Sequence, residues 1–145
     1  MRTKDVPLES LFLAVKSGCA RLTKLATAAA QEQAGVFGAQ ALALLALQAR
    51  GEVRISELAA MLDLQKPATT TLVARLEAEG LVTRNEDRDD ARAACVRLTR
   101  KGEETAAKVG VMIAGFDDIL SEGFTAEELE TVKRFLTRIA VLETF

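Results

Sequence analysis

Histidine, tryptophan and tyrosine are absent from this 145-residue chain, which holds only two cysteines, two prolines and six phenylalanines. Without His the usual general base is missing, and so are Ser-His-Asp, Cys-His and His-metal sites. Cys19 and Cys95 cannot complete a structural zinc site alone, so no metal or other cofactor is expected. An enzyme would have to rest on carboxylates or lysine, and no motif suggests one. Pro7 and Pro67 bar little of the chain from helix. Long apolar runs are also missing: Ala41–Leu47 is closed by Gln40 and Gln48, too short to span a bilayer. The N-terminus lacks the apolar core and small-residue cleavage site of a secretory signal. The expected compartment is therefore the cytoplasm, where the two cysteines stay free thiols and no membrane partner is needed.

What is present is helix-forming. The chain has 25 alanines and 20 leucines, and hydrophobic residues make up 49% of it, too many for a disordered segment. Apolar spacing predicts a first helix from Leu8 to about Gln33, with Pro7 near its start, broken by Gly35-Val-Phe-Gly38. A second helix, about Ala39–Ala49, is apolar almost all round and suits a buried position. A short extended piece, Val53–Ile55, leads to Ser56 as N-cap of a third helix ending at Leu62. Pro67 opens a fourth that runs to Glu79, and the close spacing of these two has helix-turn-helix proportions. Leu81–Arg84 and Arg92–Leu98 have strand character, with Asn85–Ala91 as a polar tip between them, so a β-hairpin follows. Thr99 reads as the N-cap of a fifth helix ending near Ser121. Thr125-Ala-Glu-Glu128 has the capping-box pattern of a last helix. The fold class is mainly α, with a winged helix-turn-helix over 39–99 set in a helical region of 1–38 and 100–145.

The fourth helix carries the chemistry. At 100° per residue, Ala68, Thr69, Leu72, Val73 and Leu76 share one side, while Pro67, Thr70, Thr71 and Ala74 face away, flanked by Lys66 and Arg75. Small hydroxyls bordered by cations suit a major groove: Thr can bond base edges or touch a thymine methyl, and Lys and Arg neutralise phosphates. A solvated helix face explains the same pattern equally well. Net charge is −2 overall, yet residues 64–102 have eight Lys/Arg against six Asp/Glu, which permits a basic surface.

Glu57-Leu-Ala59, Leu76-Glu-Ala-Glu-Gly-Leu-Val82 and Asp90-Ala-Arg92, followed after five residues by Leu98-Thr99, together resemble the MarR family of bacterial transcriptional regulators. Gly35–Gln40 is similar to the family's junction between its first two helices. The resemblance implies a homodimer, operator reading by the fourth helix, a wing beside it, and a small ligand that weakens DNA binding. Asp90 would then hold Arg92. The residues expected at double-stranded DNA are Lys66, Pro67, Thr69, Thr70, Thr71, Arg75, Arg84, Arg88 and Arg92. One departure concerns the wing, where many members carry two adjacent arginines and this chain has Ala91-Arg92. Glu86, Asp87, Asp89 and Asp90 crowd the same tip, which is a poor charge for approach to DNA.

The remaining features have competing readings. Leu11, Phe12, Val15, Phe116, Phe135, Leu136 and Ile139 exceed what a winged-helix core can cover, which points to a dimer interface. Gly110 and Gly115 fit either close helix packing or a bend. Arg100 and Lys101 oppose the dipole of the fifth helix, relieved by Glu103 and Glu104 or by a phosphate. Cys19 is expected as a small buried hydrophobe, and Cys95 as an exposed thiol between Arg92 and Arg97. The leading function is a homodimeric repressor released from a pseudo-palindromic operator by a small aromatic or anionic ligand. The alternatives are a winged-helix protein-interaction module without DNA binding and a redox regulator using Cys95 or Cys19.

Overall fold

The computed structural model describes residues 10–143. Helices are α1 (Leu11–Ala34), α2 (Gly38–Arg50), α3 (Ile55–Leu62), α4 (Lys66–Ala78), α5 (Arg100–Ser121) and α6 (Ala126–Ala140). Three short strands, β1 (Val53–Arg54), β2 (Val82–Glu86) and β3 (Ala94–Leu98), form an antiparallel sheet in the order β1-β3-β2. The chain divides after Met112 into two compact units.

In the first unit, the apolar spacings converge on one core. Leu44 and Leu47 of α2, Leu58 of α3, Val73 and Leu76 of α4, and Val82 and Val96 of the sheet are all fully buried. α3 ends in a left-handed residue, Asp63 (φ 52°), and Leu64 N–H bonds back to the Ala59 carbonyl at 2.9 Å, a Schellman stop that turns the chain into α4. Gly80 (φ 73°) plays the same part after α4, with Leu81 N–H on the Leu76 carbonyl at 2.9 Å. Thr99 caps α5 as expected: its Oγ1 accepts from Gly102 N–H at 3.0 Å and donates to the Gly80 carbonyl at 2.6 Å. Gly102 is obligatory there, because a Cβ would run into the Leu81 carbonyl.

The second unit contains α6, whose capping box forms as read: Thr125 Oγ1 accepts from Glu128 N–H, and Glu128 Oε2 accepts from Thr125 N–H at 2.8 Å. None of its residues is buried.

Several expectations need correction. α1 is capped by Ser10, whose Oγ accepts from Leu13 N–H; Pro7 and Leu8 lie outside the described residues. α3 starts one residue before Ser56, with Arg54 as N-cap and Glu57 Oε2 accepting the Arg54 N–H at 3.2 Å. Pairing of Val53 with Val96 holds that segment extended only as far as Arg54. α2 is not covered all round, since Leu42 is exposed. Ala68 is also exposed, because α4's first turn projects beyond the core. Cys19 is exposed and Cys95 buried, the reverse of the expectation. Cys95 sits between β1 and β2 in the middle strand, opposite Arg54 and Asn85, so both edges of its strand are covered. No cluster of metal-ligating side chains occurs among the described residues, and no described helix is long and apolar enough to cross a membrane.

Candidate nucleic-acid interface

α4 is placed by its buried side. Val73, Leu76 and Thr69 are fully buried, which turns Lys66, Pro67, Thr71, Ala74 and Arg75 outward. Thr69 therefore cannot touch DNA, contrary to its inclusion among the contact residues; its hydroxyl donates to the Gln65 carbonyl at 3.1 Å inside the core. Thr70 and Thr71 do lie on the outer side, and their hydroxyls donate to the Lys66 and Pro67 carbonyls at 3.0 and 3.1 Å. In that arrangement each hydroxyl proton is occupied, leaving lone pairs and the methyl group for a partner.

The wing approaches the same face. Lys66 and Thr70 of α4, Arg54 and Ser56 at the start of α3, and Arg84 and Arg92 of the wing line one cleft of about 110 Å³. Four cations thus converge on a groove between the outer helix and the hairpin, a geometry that suits a phosphodiester backbone. Arg84 reaches it because β2 pairs with β3, placing Arg84 opposite Val96. Thr71 and Arg75 lie further along the exposed side of α4. Arg88 is elsewhere: it lines an open hollow of about 920 Å³ together with Leu47, Thr83, Arg97, Leu98 and Arg100.

The acidic tip is less hostile to DNA than its composition suggests. Asp87 is turned inward, where Oδ2 accepts from Arg54 Nε at 2.7 Å. The Arg54 guanidinium, with the Asp89 amide and the Cys95 thiol, holds the Asp87 carboxyl well below the usual carboxylate range. Asp90 Oδ1 accepts the backbone N–H of Arg92 at 2.9 Å, so it shapes the turn carrying Arg92 rather than gripping the guanidinium. Glu86 and Asp89 remain exposed. Neither Arg54 nor Asp87 stood out in the sequence as a site residue. The available signal was an Asp two and three residues ahead of the Asp89 and Asp90 amides, the spacing of a side-chain-capped turn.

Other charged features resolve without DNA. Arg100 Nε lies 3.5 Å from Glu104 Oε1, an acid of its own helix as expected. Lys101 Nζ donates to the Glu79 carbonyl at 2.8 Å, placing a cation at the C-terminal end of α4 where the dipole favours it. Glu79 in turn accepts from the buried Gln40 Nε2 at 3.2 Å, while Gln40 Oε1 takes the Phe37 N–H at 2.8 Å. Burial first, and the Asp87 carboxylate second, push the Cys95 thiol up to about 11. That is the opposite of what a reactive thiolate requires, which counts against a redox role at Cys95.

Residues 34–93 match the MarR family model. The regulator FarR of Neisseria gonorrhoeae, an HTH-type transcriptional regulator, is 27% identical over 111 residues, covering 77% of this chain and 76% of that one. Among solved structures, the transcriptional repressor CouR bound to a 23-mer DNA duplex is 26% identical, with TM-score 0.82, covering 91% of this chain and 93% of that chain. NadR in complex with 4-hydroxyphenylacetate shares the fold at 23% identity, with TM-score 0.77 and 99% of each chain covered. The helix-turn-helix and the wing of this chain are thus similar to those of MarR-family winged-helix transcriptional regulators, with the family model matching over residues 34–93.

Proposed function

We propose that the chain is a homodimeric repressor that binds a pseudo-palindromic operator and is released from it by a small aromatic or anionic ligand. The observation that carries the DNA half is the convergence of Lys66, Thr70, Arg84 and Arg92 on one cleft between α4 and the wing. Lys66, Pro67, Thr70, Thr71 and Arg75 are read as the α4 contacts, and Arg84 and Arg92 as the wing contacts. Arg88 stays with them as a residue of the wing tip, and Asp90 shapes the turn that presents Arg92. Support comes from CouR, whose structure holds a DNA duplex.

Residues 1–38 and 100–145 are read as the dimerisation region. Val132, Leu136 and Ile139 leave an exposed apolar stripe on α6, and Leu11 and Phe12 do the same on α1, more apolar surface than a monomer usually shows. Two-fold symmetry would set two recognition helices about one helical turn apart on the duplex. For the ligand, support comes from NadR, a protein of similar fold whose structure is in complex with 4-hydroxyphenylacetate. In this chain Arg88, Arg97 and Arg100 around the larger hollow would complement a carboxylate.

The test is a salt-dependent binding measurement with the full-length protein and duplexes from upstream of its own gene, with and without a panel of aromatic acids. Specific, salt-sensitive binding supports the DNA half. Absence of binding returns the fold to a protein-interaction role. If no acid changes operator affinity at millimolar concentration, the sensing half falls.

A further inference from the structure

Asp87 makes more hydrogen bonds than any other side chain in the wing, and its partners come from three separate parts of the chain. Oδ2 accepts from Arg54 Nε at 2.7 Å and from Cys95 Sγ at 3.2 Å. Oδ1 accepts from Arg54 Nη2 at 3.2 Å and from the Asp89 and Asp90 amides at 2.8 and 3.0 Å. Arg54 immediately precedes α3, Cys95 is in the middle strand, and the two amides belong to the tip. The Asp87 side chain is only 10% exposed, so this two-pronged ion pair is less screened than a surface pair. Arg54 also lines the cleft that holds Lys66, Arg84 and Arg92.

We infer that Asp87 is a positioning residue that locks the wing to the start of α3, and so fixes where Arg84 and Arg92 stand relative to the recognition helix. The inference rests on the DNA-binding reading above. A wing released from α3 spends only part of its time in the docked geometry, and apparent affinity falls in proportion to that fraction. The lock and simple charge counting disagree in sign. Asp87 is an anion close to the cationic cleft, so on charge alone its removal should strengthen DNA binding. On the lock its removal weakens binding.

The experiment uses the full-length wild type, Asp87→Asn, Arg54→Lys and Asp89→Asn, with a duplex enriched by the wild type from a random-sequence library. Affinity is measured at several salt concentrations, and amide exchange is followed at Asp89 and Asp90. Asp87→Asn should weaken binding about tenfold, as a wing docked a tenth of the time requires, with faster exchange of both tip amides. Asp89→Asn removes the same charge from an exposed neighbour and should bind as tightly as wild type or more so. Arg54→Lys keeps the charge but loses the fork geometry, and should weaken binding with the helical signal retained. Binding by Asp87→Asn at or above the wild-type level overturns the lock and leaves DNA binding intact. If the library yields no enriched duplex, the DNA reading fails and the lock falls with it. Should Asp87→Asn lose its helical signal, Arg54→Lys decides: weaker binding supports the lock, and wild-type binding overturns it.

Discussion

The two units bury their apolar residues very differently. In the first, Leu58, Val73, Leu76 and Val96 have no exposed surface at all. In the second, α6 carries as regular an apolar stripe and a complete capping box, yet none of its residues is buried. Both stripes satisfy the same helical periodicity. A hydrophobic pattern therefore states that a face wants cover, while the identity of the cover depends on what else the chain brings to it. α4 finds a sheet and two helices within its own unit. For α6, a second copy of the chain is the proposed cover.

The sharpest way to break that contrast is truncation on each side. Leu76→Ala should cost about 3 kcal/mol, as expected for a fully buried leucine, read as a loss of thermal stability by circular dichroism. Leu136→Ala should leave a monomer's stability nearly unchanged and act only on the dimer. A loss at Leu136 as large as at Leu76, in a species shown to be monomeric, would erase the distinction. The companion measurement is mass: wild type should be dimeric at micromolar concentration by light scattering, and serine at Val132, Leu136 and Ile139 together should yield monomer. A monomeric wild type removes the proposed interface.

A smaller effect separates the wing from the recognition helix. Arg92→Ala should weaken binding to many duplexes, roughly tenfold, and flatten the salt dependence by about one phosphate contact. Thr70→Val and Thr71→Val should instead relax discrimination among operator bases, by about 1 kcal/mol per lost contact, with the salt slope retained. Identical behaviour of the two classes would mean that one of the two elements has been misassigned.

The smallest effects concern the two thiols and the inward acid. Iodoacetamide at pH 8 should label Cys19 in the folded protein and reach Cys95 only after unfolding, checked by intact mass. Because the buried Cys95 thiol is raised from 9.0 to about 11, its contribution to stability is complete below pH 9 and is lost as pH rises toward 11. Asp87 has the opposite sign. Its carboxyl is held below the ordinary value of 3.8, so its contribution is present above that pH and is lost as the solution is made more acid. Melting temperatures from pH 3 to 11 should therefore fall at both ends, and Asp87→Asn should remove part of the acid limb. An unchanged acid limb in that variant would contradict the placement of Asp87.

Much of the architecture is legible in the amino-acid sequence. Period-3.6 apolar spacing, the break at Gly35–Gly38, and the Thr99 and Thr125 caps marked the helices and their ends, because these are local rules acting within a few residues. The outward face of α4 was legible at Thr70, Thr71, Lys66 and Arg75 for the same reason. Errors gathered where a residue's fate depended on partners distant in sequence. Ser56 looked like a cap, but pairing of β1 with β3 moved the helix start. Thr69 looked available to DNA, although its neighbours in the core cover it completely.

The wing shows the division most clearly. From sequence alone, Glu86, Asp87, Asp89 and Asp90 formed one acidic block, and Cys95 was an exposed thiol between arginines. Composition assigns all four acids the same charge, and helical or strand periodicity cannot tell which one will be desolvated. The chain order did determine the helices, the hairpin and the cations along α4, since propensity, capping and alternation are written in neighbouring residues. Only the tertiary structure brought Arg54 within 2.7 Å of Asp87, 33 positions away. That ion pair, with the burial of Cys95 beneath it, depends on the docking of β1 against β3, and a contact between distant segments leaves no periodic signal in the sequence.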